Sequence, residues 1–304
     1  MAFHIGYHKT ATSWLQKAYF PSHPEVDLLC NSSAPWNDPF LHYLISTPEL
    51  KFDAHEAQRR LYSQQSSDSS DRKRKIGLVS AERLSGFPLS GGFDSVHIAH
   101  RIHKVAADAK IIIVVREQSD MISSVYKQMV GEGFSGTLEQ MLNRPSWKTA
   151  GFNLAFYEFD LLVRLYLDLF GNDQVLVLSY ESFREAPDKF VSQLCDFLEI
   201  SKLSPPAENK IVNQGMSTAS MRMIRRLNPI RETEFNPYPA IKLPPGIFEF
   251  IYKSHRAIDR RQLQLMSDDL RSELQDYYRS SNIQLHQLTG IKLTDRATSD
   301  PENI

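Results

Sequence analysis

The sequence predicts an α/β fold, a three-layer αβα domain around a central parallel sheet of about four to five strands, with helical and proline-rich additions toward the C terminus. Three observations carry this. The run Ile111-Ile112-Ile113-Val114-Val115 is nearly all β-branched and shows no polar alternation, as in a strand covered on both faces. Four short runs of this kind alternate with helical patterns, which implies right-handed βαβ crossovers. The first of them leads directly into a Lys/Thr/Ser loop and an amphipathic helix.

Taken in order, residues 2–7 read as the first strand and residues 12–20 as a helix ending at Pro21. Residues 64–75 (QQSSDSSDRKRK) are polar and low in complexity, a surface loop with a solvated basic end. Strands follow at 76–80 and 110–115, then a helix over 119–130 that ends near Gly131. Apolar residues at helical spacing (Phe152, Phe156, Phe159, Val163, Tyr166, Phe170) predict a helix over 152–170, stopped by Gly171. The last strand is 174–179, with a helix over 188–198 after it. Residues 228–246 carry Pro229, Pro237, Pro239, Pro244 and Pro245, which suits an ordered loop and no helix. A long polar-faced helix over 267–288 precedes a weakly structured tail. The whole reads as one domain over 1–304, with a core of 1–200, a helical and loop region of 201–290 and a tail of 291–304.

Composition narrows the function. With 35 Lys+Arg against 36 Asp+Glu, the net charge of −1 supplies no global field for nucleic acid or an anionic membrane, so any anion must be held locally. The two cysteines, Cys30 and Cys195, form neither a disulfide framework nor a zinc motif, which suits a reducing cytoplasm. No apolar run of about 18 residues occurs, and the opening lacks the features of a signal peptide, so the expected location is cytoplasmic with no integral membrane segment. His97, His100 and His103 fall at i, i+3 and i+6, which cannot aim three rings at one metal from a straight helix; no metal site is expected. Oligomeric state leaves no mark in the sequence.

The chemistry concentrates in two segments. In Phe3-His4-Ile5-Gly6-Tyr7-His8-Lys9-Thr10-Ala11-Thr12-Ser13-Trp14-Leu15-Gln16, a strand, a short hydroxyl-rich loop and a helix direct backbone N–H groups at one point, where a phosphate or sulfate would sit. Taken alone, Lys9-Thr10 also fits an ordinary helix N terminus. The spacing departs from GxxxxGK[ST], since Gly6 stands only three residues before Lys9. The second segment puts Arg116 at the end of the strongest strand and Ser124 eight residues later on the next helix, a guanidinium and a hydroxyl suited to a terminal phosphate.

With HKTATSWLQ in the first segment and R-x-Q-x-x-x-x-x-S-x-Y in the second, the chain resembles the sulfotransferase superfamily that uses 3′-phosphoadenosine-5′-phosphosulfate (PAPS), especially bacterial members with a loop like HKTGTTxLQ. Ala11, Ser13 and Gln118 replace the usual Gly, Thr and Pro. The resemblance implies a P-loop nucleotide-kinase-like fold and a 5′-phosphosulfate loop made of Lys9, Thr10, Ala11, Thr12 and Ser13. It implies Trp14 stacked on adenine, and a 3′-phosphate site of Arg116 and Ser124. The segment Val175 to Phe183 resembles the family's "lvlxYEdL" signature and sets Tyr180 near the adenine, although a core tyrosine at a strand end fits equally. KIGLVSAERLSG resembles the strand after which a glutamate serves as general base; Glu82 matches, beside Ser80. His8 neighbours the acceptor and is the other candidate base, while His4 reads as structural.

The implied reaction is in-line sulfuryl transfer from PAPS, leaving 3′,5′-bisphosphoadenosine (PAP), to a hydroxyl or amine of a small-molecule or glycan acceptor, with carbohydrate ranked first. Glu82 would take the proton and Lys9 would stabilise the leaving oxygen, with no metal required. Two alternatives stay open at this point: a P-loop nucleoside or sugar kinase, and a non-catalytic nucleotide- or glycan-binding module. The segments 64–75, 131–151 and 228–246 are candidate acceptor walls. Asn213-Gln214-Gly215 with Ser217, Arg222, Arg225 and Arg226 fits a return to the 3′-phosphate or a solvated basic face.

Overall fold

Five strands, all parallel, make the sheet in the computed structural model: β1 (Ala2–His4), β2 (Val26–Asn31), β3 (Ile76–Ser80), β4 (Lys110–Val115) and β5 (Val175–Ser179), in the order β2-β3-β1-β4-β5. The structure describes residues 1–10, 12–31, 35–63, 75–143, 151–203, 218–233, 235–239 and 265–293. The expected parallel α/β sheet is therefore present, with four strands where the sequence places them. The fifth, β2, lies at an edge, and its pairing with β3 slips between Leu28 and Cys30, a bulge that erases any clean alternation. Beyond the end of β1 at His4, Ile5 and Tyr7 still donate to Ile112 O and Val114 O at 3.0 and 3.2 Å, so the pairing along β4 reaches Tyr7.

The chain divides into two compact units. One comprises residues 1–117, 153–212 and 278–304; the other comprises 118–152 and 213–277. In the first, β4 is the core: Ile111 to Val115 are each 0% exposed, worth about 1.5–3 kcal/mol per side chain. One sheet face is covered by the helical residues 12–22 and the helix Pro187–Leu198, packing Leu15, Phe20, Phe190 and Leu194 on Leu78, Ile112 and Val114. On the other face Phe3 meets Phe40 of the helix Pro39–Ser46, and Tyr7 meets Phe159 of the helix Phe159–Phe170, which packs on β4, β5 and the helix Ser95–Val105.

Several helix limits differ from expectation for local reasons. The first helix does not stop at Pro21: an α-turn Thr12–Trp14 passes into a π-helical stretch Leu15–Tyr19 and a last turn Phe20–Ser22, where Pro21 occupies a first-turn position that needs no N–H. The expected helix over 152–170 is two elements, a 3-10 turn Leu154–Tyr157 capped by Asn153 and the helix Phe159–Phe170, which does end at Gly171 with φ +85°. The helix Tyr180–Glu185, capped by Ser179 Oγ, separates β5 from Pro187–Leu198.

In the second unit the helix Gln118–Glu132 runs through Gly131 and ends at Gly133, where φ is +124° and a Cβ would strike Thr233. Asn228 Nδ2 closes that end by donating to Val130 O and Phe134 O, each at 2.8 Å. Arg225 of the helix Thr218–Leu227 donates to Tyr126 Oη at 3.3 Å. The long helix is Asp268–Thr289, and both cysteines are buried. Among the described residues no helix is long and apolar enough to cross a membrane. Residues 64–74 of the loop expected at 64–75, the segments 144–150 and 240–246, the Asn213 to Ser217 motif and most of the C-terminal tail lie outside the described residues.

Candidate active site

From β1 the chain crosses to β2 at one edge of the sheet, whereas β4 leads to β5 at the other. Crossovers that part in this way leave a crevice at the carboxyl ends of the central strands. Lys9 follows β1, Glu82 follows β3, Arg116 follows β4 and Tyr180 follows β5, so four of the expected residues stand along that one edge.

The loop after β1 is built by crowding. A Cβ on Gly6 would lie 2.9 Å from His4 Nε2 and 3.2 Å from Thr12 Cγ2, so a side chain there would push the helix start off the strand. His4 is buried and structural: its Nδ1 pairs with Ser80 Oγ at 2.7 Å, and burial pushes its pKa down to about 3, keeping the ring neutral. Lys9 holds φ +67°, an uncommon conformation for a side-chain-bearing residue, and Thr10 Oγ1 closes the turn by donating to Tyr7 O. Arg116 Nη1 donates to Lys9 O at 3.1 Å.

Glu82 opens the 3-10 turn Glu82–Ser85 and accepts a hydrogen bond from Thr12 Oγ1. Burial raises its carboxyl pKa, opposed by the Thr12 hydrogen bond and the charges of Lys9 and Lys17. His8 differs: burial, with Lys9 and Arg83 nearby, pushes its pKa down to about 3. Among the described residues its Nδ1 and Arg83 Nη1, both buried, have no hydrogen-bond partner, and Arg83 also pairs with Asp94 at 2.5 Å. Neither the Thr12 tether nor the Arg83 charge was visible in the motif; the adjacency of Arg83 to Glu82 was the available signal. Thr12→Val removes the donor, so the Glu82 carboxyl is expected to titrate at higher pH, as read by carbon-13 NMR of that carboxyl. An unchanged titration would show that the tether does not act on Glu82.

The Arg116 guanidinium lies 4.6 Å from the centroid of the Tyr180 ring, and Glu181 Oε1 accepts from Glu117 N at 3.0 Å. Burial raises the Glu181 carboxyl pKa. Tyr180 thus braces the arginine, a contact the sequence did not reveal. Trp14 is 6% exposed; its ring stacks on Tyr19 at 5.5 Å and meets Phe183 at 4.9 Å, so its faces serve the core. Ser13 is partly exposed at the start of the helix, and Ala11 lies outside the described residues. Ser124 is placed on Gln118–Glu132 in the second unit, partly exposed. His97 and His100 are exposed, and His103 sits edge-on to Phe170. Among the described residues no group of three His, Cys, Asp or Glu side chains could hold a metal ion.

Fold and site together define a doubly wound α/β protein with a cationic crevice and a partly buried carboxylate at its edge. Comparison with known proteins makes the class more specific. Residues 93–234 match the sulfotransferase domain family, a segment that contains Arg116, Ser124 and Tyr180 and begins after Lys9 and Glu82. A sulfotransferase from Alicyclobacillus acidocaldarius has a similar fold, with 19% identity, 96% of each chain covered and a TM-score of 0.56. A sulfotransferase domain from the curacin biosynthetic pathway aligns at 14% identity over 97% of this chain and 98% of its own, with a TM-score of 0.41. No curated protein matches in sequence. Over residues 93–234 the family match agrees with the resemblance carried by the motifs, and the shared fold agrees with the expected architecture.

Proposed function

We propose that the chain transfers a sulfuryl group from PAPS to an acceptor hydroxyl. The observation that carries this reading is the bond from Arg116 to the carbonyl of Lys9, which joins the two anion-binding motifs although 107 positions separate them. The residues fit such a donor: Lys9 is held in the left-handed region, and Arg83 presents a buried N–H that has no partner among the described residues. In this reading Lys9, Thr10, Thr12 and Ser13, with the loop amides, hold the phosphosulfate, and Arg116, braced by Tyr180, holds the 3′-phosphate.

As the acceptor oxygen bonds to sulfur, the bond from sulfur to the bridging oxygen breaks. Glu82 takes the acceptor's proton and Lys9 offsets the charge that gathers on the departing oxygen. The products are a sulfate ester and PAP. His8, with its pKa pushed down to about 3, serves better as a neutral wall than as the base.

The reading is tested by ligands alone. PAP should raise the melting temperature by several degrees near 100 times Kd, where bound ligand adds about 2.7 kcal/mol, and should do so more than ADP or ATP. Arg116→Ala should weaken PAP about 10- to 150-fold, the value of a charge-assisted bond of about 1.5–3 kcal/mol, and leave ADP binding nearly unchanged. Equal stabilisation by ATP, or a shift that requires magnesium, would favour a kinase instead.

A further inference from the structure

A cavity of about 210 Å³ opens beside the candidate site, within the first unit. Tyr7, Phe156 and Leu162 form its wall, and neither the motifs nor the proposed donor site uses it. Two pieces of chain connect it to the chemistry. Tyr7 stands two residues before Lys9, at most about 7 Å along an extended backbone. Gly86, which ends the Glu82–Ser85 turn, backs onto the lining residues: a Cβ there would strike Ser95 Oγ and lie 3.2 Å from Phe156 Cε2. Ser95 Oγ reaches back to Ser85 O at 2.8 Å. Gly92, with φ +63°, leaves room for the same Phe156 ring, which a Cβ at that position would strike.

The chemistry of the lining is one-sided. Its polar side chains are Tyr7, whose hydroxyl is carried on a ring, Ser95, whose hydroxyl already lies between Ser85 O and Gly92 O, and Glu158; the other lining residues are apolar or glycine. Among the described residues no lysine or arginine lines the cavity. A sugar seated here would desolvate several hydroxyls against carbon, at about 1–3 kcal/mol for each left unpaired. An apolar ring or chain would pay no such penalty, and the volume exceeds the roughly 150 Å³ that accepts benzene in an apolar protein cavity. Val96 and Leu161 at its edge are 53% and 54% exposed, so the apolar surface continues to the mouth.

We propose that this cavity holds the apolar body of the acceptor, which is an alcohol or phenol on an apolar carrier with its hydroxyl directed to Glu82. The inference rests on the sulfuryl-transfer reading and replaces carbohydrate as the first-ranked acceptor class. Glu158 at the wall adds a bias against anionic acceptors.

The test uses the full chain saturated with PAP and 2-naphthol as the probe, followed by its fluorescence. Saturable binding is expected. Val96→Trp, a substitution at a half-exposed position that narrows the mouth, should weaken it at least tenfold, and Val96→Ala should not. The melting shift given by PAP should be the same in both variants and in the parent, which reports folding and the donor site independently of the acceptor. With sulfur-labelled PAPS, 2-naphthol should be sulfated in preference to a neutral disaccharide. If PAP gives no shift in the parent chain, the sulfuryl-transfer reading fails, and this inference with it. If PAP binds but 2-naphthol does not, if Val96→Trp leaves its binding unchanged, or if the disaccharide is the better acceptor, the inference alone is overturned.

Discussion

Glu82→Gln is expected to lower sulfuryl transfer to a hydroxyl by about 10²–10⁴ while PAP stabilises the variant as it does the parent. The amide keeps the shape of the carboxyl and can still accept from Thr12, but it cannot take a proton. The pH dependence separates this loss from a structural one. Burial raises the Glu82 carboxyl pKa, and the carboxylate is the working form, so the parent's rate should fall as pH drops through a value above the ordinary glutamate value of about 4.3. Three positive or donating neighbours, Thr12, Lys9 and Lys17, limit how far the value rises. The acid limb should disappear in Glu82→Gln and persist in His8→Ala, because His8 already stays neutral down to about pH 3. A Glu82→Gln variant with parental turnover would remove Glu82 from the mechanism and return His8 to consideration.

Much of this arrangement was legible because it depends on short-range rules. The uninterrupted Ile111 to Val115 run suits a strand buried on both faces, and Lys9, Glu82, Arg116 and Tyr180 each come after one of the four predicted strands. Once the sheet is parallel, strand ends collect at one edge, and residues far apart in sequence meet there. What the sequence concealed is what depends on pairing and packing. β2 is an edge strand with a bulge, so its pattern is neither alternating nor fully apolar. The Thr12 bond to Glu82 joins residues 70 positions apart, and the Tyr180 ring reaches Arg116 only because β4 and β5 are neighbours. Trp14 carries a residue type suited to stacking on a base, but an aromatic one turn into a helix faces the core as readily as a ligand. Here Tyr19 stacks on it and Phe183 lies tilted against it.

Lys9 offers the clearest separation of catalysis from folding, because its backbone and its side chain make opposite demands. At φ +67° a residue with a Cβ costs about 1–2 kcal/mol relative to an ordinary helical conformation, a cost that glycine avoids. The strain is retained with an ammonium group on the loop, near enough for its charge to act on both Glu82 and His8. If that charge offsets the oxygen that leaves in the transition state, Lys9→Ala should lower kcat by about 10²–10³, equivalent to about 2.7–4 kcal/mol, with a smaller loss of PAP affinity. Lys9→Gly should be equally slow and yet at least as stable, since it relieves the backbone while Arg116 keeps its bond to the carbonyl of residue 9. A melting curve and a single-turnover rate on the two variants decide the matter. A lysine kept for structure would give the reverse pattern, with stability lost in both variants and the rate per folded molecule unchanged.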